Sequence, residues 1–162
     1  MMPSIADLPW LPLPPTDFAA QCKAVGATNE PPGPAIQFLA GFRLSARQSS
    51  SVARAISRSR QAGLDFAPLS NFRLGILSSA TFDLLLDCLP AAAARHGVAL
   101  DLVTTPYDQV MQQALEPGSE INSANADAVL LAVDHRWLNL DRASLDEAPE
   151  TRVAAAIERL RA

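Results

Sequence analysis

A chain of 162 residues, 49% of them hydrophobic and with a mean hydropathy of +0.10, is long and apolar enough for one domain with its own core. A formal charge of −4 and a pI near 5.1 exclude the clustered lysine and arginine surface that nucleic acid requires. The two cysteines, Cys22 and Cys88, stand outside any CxxC or Cys–His spacing, which excludes a disulfide framework and a zinc site.

The opening MMPSIADLPWLPLPP lacks the basic start and long apolar run of a signal peptide. No stretch of the sequence approaches the ~20 apolar residues of a membrane span, so the expected location is the reducing cytoplasm, away from membranes. Proline at this density blocks helix and ladder and favours an extended arm. Trp10, with Leu8, Leu11 and Leu13, gives that arm an apolar face to lay against something. Asp17–Val25 reads as a short helix, and Thr28–Pro34 as a linker.

Ala35–Arg60 reads as a helical pair broken near Arg43–Leu44. Ile36, Leu39, Ala40, Phe42 and Leu44 form one apolar cluster, and Val52, Ala55 and Ile56 continue it at helical spacing. Ser45 with Gln48 has the spacing of a capping box, and Gly63 is the stop signal. The arginines of Arg43–Arg60, diluted by serine and alanine, read as a solvated helix face. Leu64–Asn71 is a loop.

Alternation of strand and helix then begins. Phe72–Leu77 is a strand, and Thr81 or Ser79 caps a helix that runs to about His96 and ends at Gly97. In that helix Cys88 reads as a small core residue, while Asp83 and Asp87 read as inert and solvent-facing. Val98–Thr104 is a second strand closed by Pro106, and Tyr107–Leu115 a second helix. Glu116–Ala126 is polar, with a turn at Pro117–Gly118. Ala128–Val133 is a third strand, apolar throughout as buried parallel strands are. Thr151–Leu160 is a last helix with Val153, Ile157 and Leu160 on one face.

This pattern predicts an α/β fold: a three-layer, Rossmann- or flavodoxin-like parallel sheet of about three strands in the order 2-1-3, preceded by a helical segment. The expected organisation is an arm and linker over 1–34, a helical lead-in over 35–70, and the first half of an α/β domain over 71–162. A sheet of this kind usually has about five strands. The chain therefore reads as half a fold, either a piece of a longer polypeptide or one half of a dimer that completes the sheet.

The chemistry of such folds sits at the carboxyl ends of the strands. Ser78, Ser79 and Thr81 follow the first strand, where hydroxyls and backbone N–H groups suit an anion or a serine nucleophile; the plainer reading is helix capping. A nucleophile needs a base. Of the two histidines, His96 falls at the far rim and His135 at the same rim as the serines, beside Asp134 and Arg136. Trp137 reads as a cover for the core. GxGxxG, GxxxxGKS, GxSxG and DxDx(T/V) are all absent.

The strand followed by SSATFDLLLDCLP, then RHGVALDLVTTPYDQVMQQAL and EPGSEINSANADAVLLAVDHR, resembles the amino-terminal region of FkbH-like proteins, the haloacid dehalogenase-like subfamily IIIC. The upstream LAGFRLSARQ is similar to the helical lead-in of that family, and Thr81, Tyr107, Ser119 and Asp127 match its pattern. The resemblance spans most of residues 36–138. It implies an SGNH-hydrolase-like fold followed in the full protein by a haloacid dehalogenase-like domain, which carries the phosphatase-type chemistry and its Mg2+. It also implies work in polyketide-type biosynthesis, where some members load a glyceryl unit onto an acyl carrier protein. The implied partners are that carboxyl-terminal domain and an acyl carrier protein, with no cofactor in this chain itself.

This chain departs from the SGNH blocks. Ser78-Ser79-Ala80 holds the place of Gly-Asp-Ser, Ala132-Val133-Asp134-His135 that of Gly-x-Asn-Asp, and the Asp-x-x-His block would lie beyond residue 162. The expectation is a non-catalytic scaffold or docking module, with Ser78, Ser79, Thr81, Asp134, His135 and Arg136 as binding residues. The alternatives are an SGNH-like hydrolase or acyltransferase, with Ser78 or Ser79 as nucleophile and His135 as base, and a free-standing interaction domain that forms a homodimer.

Overall fold

The structure, a computed structural model, describes residues 8–27, 30–140 and 148–161. In chain order the elements are α1 (Phe18–Ala24), α2 (Gly33–Ala40), α3 (Ala46–Gln61), β1 (Ser70–Ser78), α4 (Asp83–Leu86), α5 (Leu89–Arg95), β2 (Val98–Thr104), α6 (Val110–Leu115), α7 (Glu120–Ser123), β3 (Ala128–Ala132) and α8 (Pro149–Arg161). The strands form a parallel sheet in the order β2-β1-β3, the α/β arrangement that the alternation predicts. Among the described residues no helix is long and apolar enough to cross a membrane. Residues 1–7 of the proline-rich arm and 28–29 of the linker lie outside the described residues.

The fold has two compact units: Met1–Leu74 with Phe82–Leu102, and Gly75–Thr81 with Val103–Ala162. The first is built on helical periodicity. Phe18, Cys22 and Val25 bury one stripe of α1 and its cap, Ile36, Leu39 and Ala40 one stripe of α2, and Val52, Ala55 and Ile56 one stripe of α3. Phe66, Leu69, Ala91, Ala94 and Ala99 complete this core.

Ser45 and Gln48 form the expected capping box: the Ser45 hydroxyl accepts the Gln48 N–H at 3.4 Å, and the Gln48 side chain accepts the Ser45 N–H at 2.9 Å. Arg95 serves the other kind of helix end. Its guanidinium donates to the carbonyls of Ala40 at 2.8 Å and Phe42 at 3.0 Å, which the end of α2 leaves without helical partners. Pro12 O accepts the Arg43 N–H at 2.8 Å, so the arm is tied to the chain after α2, yet Trp10 and Leu13 face solvent.

Four expectations fail over residues 79–96. The single helix to His96 is two short helices, because Pro90 has no N–H and its ring would strike the Leu86 carbonyl in a continuous helix. Neither Ser79 nor Thr81 caps α4: its N-cap is Phe82, without a side-chain bond. Cys22, not Cys88, is the core cysteine; Cys88 falls at the helix break and is half-buried. Asp87, expected to be inert, accepts the Ser50 hydroxyl at 2.7 Å. Gly97 ends α5 as expected, at φ +82°, where a side chain would be strained.

The second unit has a smaller core: Leu77, Val110, Ile121 and Trp137, with Val103, Met111, Val133 and Leu138 packed on it. Gly75 makes room for it in β1. A Cβ there would lie 3.0 Å from Ile121 Cδ1 and 3.4 Å from Val129 Cγ2. The polar stretch after α6 contains the short helix α7. The Ser119 hydroxyl accepts the Asn122 N–H at 3.2 Å and donates to Gln113 O at 2.6 Å. The Asn122 amide in turn donates to the Gln113, Ala114 and Glu116 carbonyls at the end of α6.

One apolar pattern behaves differently from expectation in this unit. Val129, Leu130 and Leu131 of β3 are exposed, because β3 is an edge strand rather than the buried strand its composition implies. On α8 it is Ala156 that is buried, while Val153, Ile157 and Leu160 face outward. The second helix also begins later than predicted, at Val110. Asp108, at φ +58°, holds the preceding residues in a turn.

Candidate functional site

The site lies within the second unit, where the chain leaves β1 and β3. Parallel strands deliver both exits to one rim. Ser79 N–H donates to Ala132 O at 3.2 Å, continuing the β1–β3 ladder past the end of β1. One step further, the Asp134 N–H donates to the Ser79 hydroxyl oxygen at 3.2 Å. Two successive bonds thus hold the serine loop against the Asp134 loop.

Asp134 organises its own turn. Its Oδ1 accepts the N–H groups of Arg136 at 3.1 Å and Trp137 at 3.0 Å, as an aspartate does at the head of a turn. The Trp137 N–H is the chief reason that the Asp134 carboxyl titrates below the usual carboxylate range. Loss of water opposes it, while the Arg136 N–H and the charges of His135 and Arg136 act with it. The turn closes with Leu140 N–H on His135 O at 2.8 Å and Asn139 N–H on Arg136 O at 3.0 Å. It tucks the Trp137 indole into the small core, and the Arg159 guanidinium of α8 covers that ring at 4.4 Å from its centre.

These loops border a cleft of about 430 Å3. Its lining comprises Ser79, Ala80, Thr81, Tyr107, Asp108, Asp134, Arg136 and Trp137. Of the residues singled out from sequence, Ser79, Thr81, Asp134 and Arg136 meet here. Ser78 does not: its hydroxyl donates to Ala80 O at 2.7 Å and accepts the Ala80 N–H at 3.1 Å, closing a local turn. His135 is exposed and lies outside the lining. Tyr107 and Asp108 were not singled out as site residues. They follow β2, whose carboxyl end in a parallel sheet must open on the same rim, and Pro106 marks that exit in the sequence.

The cleft offers hydroxyls, a phenol, two carboxylates and one guanidinium. Among the described residues no imidazole is hydrogen-bonded to Ser78 or Ser79, and no group of three His, Cys, Asp or Glu could hold a metal ion. The helix after the serine loop, α4, has four residues and supplies at most a weak dipole. No family model, no curated protein and no solved structure matches the chain.

Proposed function

We propose that this chain is a non-catalytic α/β module of the FkbH-like type, a scaffold or docking piece whose partners would be a haloacid dehalogenase-like domain and an acyl carrier protein. The observation that carries the non-catalytic reading is the Ser79 hydroxyl, which accepts the Asp134 N–H and, among the described residues, has no imidazole hydrogen-bonded to it. A serine becomes a nucleophile only when a neighbouring group takes its proton. His135, on the same rim, is turned to solvent. The family assignment rests on the sequence pattern of residues 36–138, with Thr81, Tyr107, Ser119 and Asp127 at its marked positions.

The test is a serine-directed fluorophosphonate probe followed by intact-mass measurement. The reading expects the chain to remain unlabelled over hours at neutral pH. Stoichiometric labelling at Ser79 would overturn it in favour of a hydrolase or acyltransferase.

A further inference from the structure

We infer that the cleft at the rim binds an uncharged polyol of the size of a single sugar ring, held by hydrogen bonds to Thr81, Tyr107, Asp108 and Arg136. The inference concerns the same rim as the serine loop but does not rest on the scaffold reading, which the fluorophosphonate probe tests separately.

The topology of the sheet opens a crevice where the cleft lies. From β1 the chain crosses to β2 on one side, and from β2 it returns past β1 to β3 on the other. In open parallel sheets ligands bind at such a reversal, outside the carboxyl ends of the strands. Ser79 and Thr81 follow β1, Tyr107 and Asp108 follow β2, and Asp134 and Arg136 follow β3. All six line the cleft, whose volume of about 430 Å3 falls at the small end of the ~300–1,000 Å3 of small-molecule sites.

Most of these side chains have no task in the fold. Among the described residues the side chains of Thr81, Tyr107, Asp108 and Arg136 make no hydrogen bond or salt bridge. Tyr107, 69% exposed, belongs to neither core. Asp108 holds φ +58°, a conformation that aspartate tolerates without favouring, and strain of this kind collects at ligand sites. The Ser79 hydroxyl accepts the Asp134 N–H and so keeps its own proton to donate.

The charges select the ligand class. Asp108 and Asp134 set two carboxylates against the single guanidinium of Arg136, so a phosphate or carboxylate meets net repulsion. A cation would leave Arg136 with nothing to donate to. Carboxylates only accept hydrogen bonds and a guanidinium only donates, while the hydroxyls of Ser79, Thr81 and Tyr107 do both. A ligand hydroxyl also does both, so a run of hydroxyls can engage each of these groups in turn. The Tyr107 ring adds an apolar face for the C–H groups of a sugar. Thr81, Tyr107, Asp108 and Arg136 are exposed, so water competes and the expected dissociation constant is about 1–10 mM.

NMR titration of the full chain tests this. The probes are methyl α-D-glucopyranoside, methyl α-D-mannopyranoside and methyl β-D-galactopyranoside, each to about 100 mM, with inorganic phosphate as the anionic arm. At least one glycoside should shift the Thr81, Tyr107, Asp108 and Arg136 amides saturably, and phosphate should not. Asp108→Asn suits the same backbone conformation, and Arg136→Gln keeps a donor without the charge. Each exchanges a charge-assisted hydrogen bond for a neutral one, so at least one of them should weaken binding by about fivefold or more. The inference is overturned if none of the three glycosides gives a saturable shift, if the shifts fall only outside the cleft, or if phosphate saturates the same amides. Weakening of less than about fivefold in both variants overturns it as well.

Discussion

Asp134 donates its backbone N–H to the side chain of Ser79 across 55 positions of sequence, one step beyond the bond from Ser79 N–H to Ala132 O. The contact sits where two parallel strands release the chain, so it fixes the width of the rim. It also makes the serine an acceptor within the fold. That separates Ser79 from Ser78, whose hydroxyl is closed on Ala80 two residues away.

Ser79→Ala should therefore cost more than Ser78→Ala. The first leaves a part-buried N–H without its acceptor, a loss of about 1–3 kcal/mol. The second removes a local turn contact and should cost about 0.5 kcal/mol. Urea denaturation of both variants measures the difference. Equal losses would mean that the bond to Asp134 contributes nothing.

The turn headed by Asp134 should titrate. Its carboxyl has a lowered pKa in the folded state, chiefly through the Trp137 N–H. A group with a depressed folded pKa adds stability above its unfolded pKa, about 4 for aspartate, and loses it as pH falls through the folded value. Asp134→Asn keeps an oxygen acceptor but does not titrate. Wild type should thus exceed Asp134→Asn in stability at pH 6, and the gap should close as pH falls from about 4 toward the folded value. Denaturation at a series of pH values reads the gap. A gap that widens on acidification would contradict the assignment.

Trp137 and Trp10 are the two tryptophans of the chain, one buried and one exposed. In a Trp10→Phe background the emission should be that of a buried indole. Arg159→Ala should then change its intensity and lower stability by about 0.5–1 kcal/mol, the range of a partly exposed cation over an aromatic ring. An unchanged spectrum would place the guanidinium away from the ring.

The cysteines should differ in reactivity. Burial raises the Cys22 thiol above its ordinary pKa, with the Arg58 charge opposing, and the side chain lies in the first core. Cys88 is half-buried at the α4–α5 break. A thiol reagent should modify Cys88 in the native protein and Cys22 only on unfolding. Modification of Cys22 first would contradict the packing of α1.

Much of this architecture is legible from periodicity and punctuation. The spacing of Ile36, Leu39 and Ala40, the Ser45–Gln48 box and Gly97 each act locally, so the sequence alone places them. Pro90 was legible too, and reading through it yielded one helix where the chain makes two. The exposure of β3 was not legible. Apolar residues state what environment a strand favours, not whether a neighbour is present to provide it. The Ser79–Asp134 bond was likewise out of reach, because it depends on the register between strands that meet only in the fold. The meeting of both loops on one rim did follow from strand direction. The separation of Ser79 from Ser78 needed side-chain geometry.

The central claim is that the Ser79 hydroxyl accepts the Asp134 amide and so ties the loops after β1 and β3 together at one rim. Amide hydrogen exchange at Asp134, measured by NMR under native conditions, tests it most directly. The Asp134 amide should be protected in the wild type and in Ser78→Ala, and should lose that protection in a folded Ser79→Ala. An Asp134 amide that exchanges in the wild type as fast as an open loop, or that stays protected in Ser79→Ala, would contradict it.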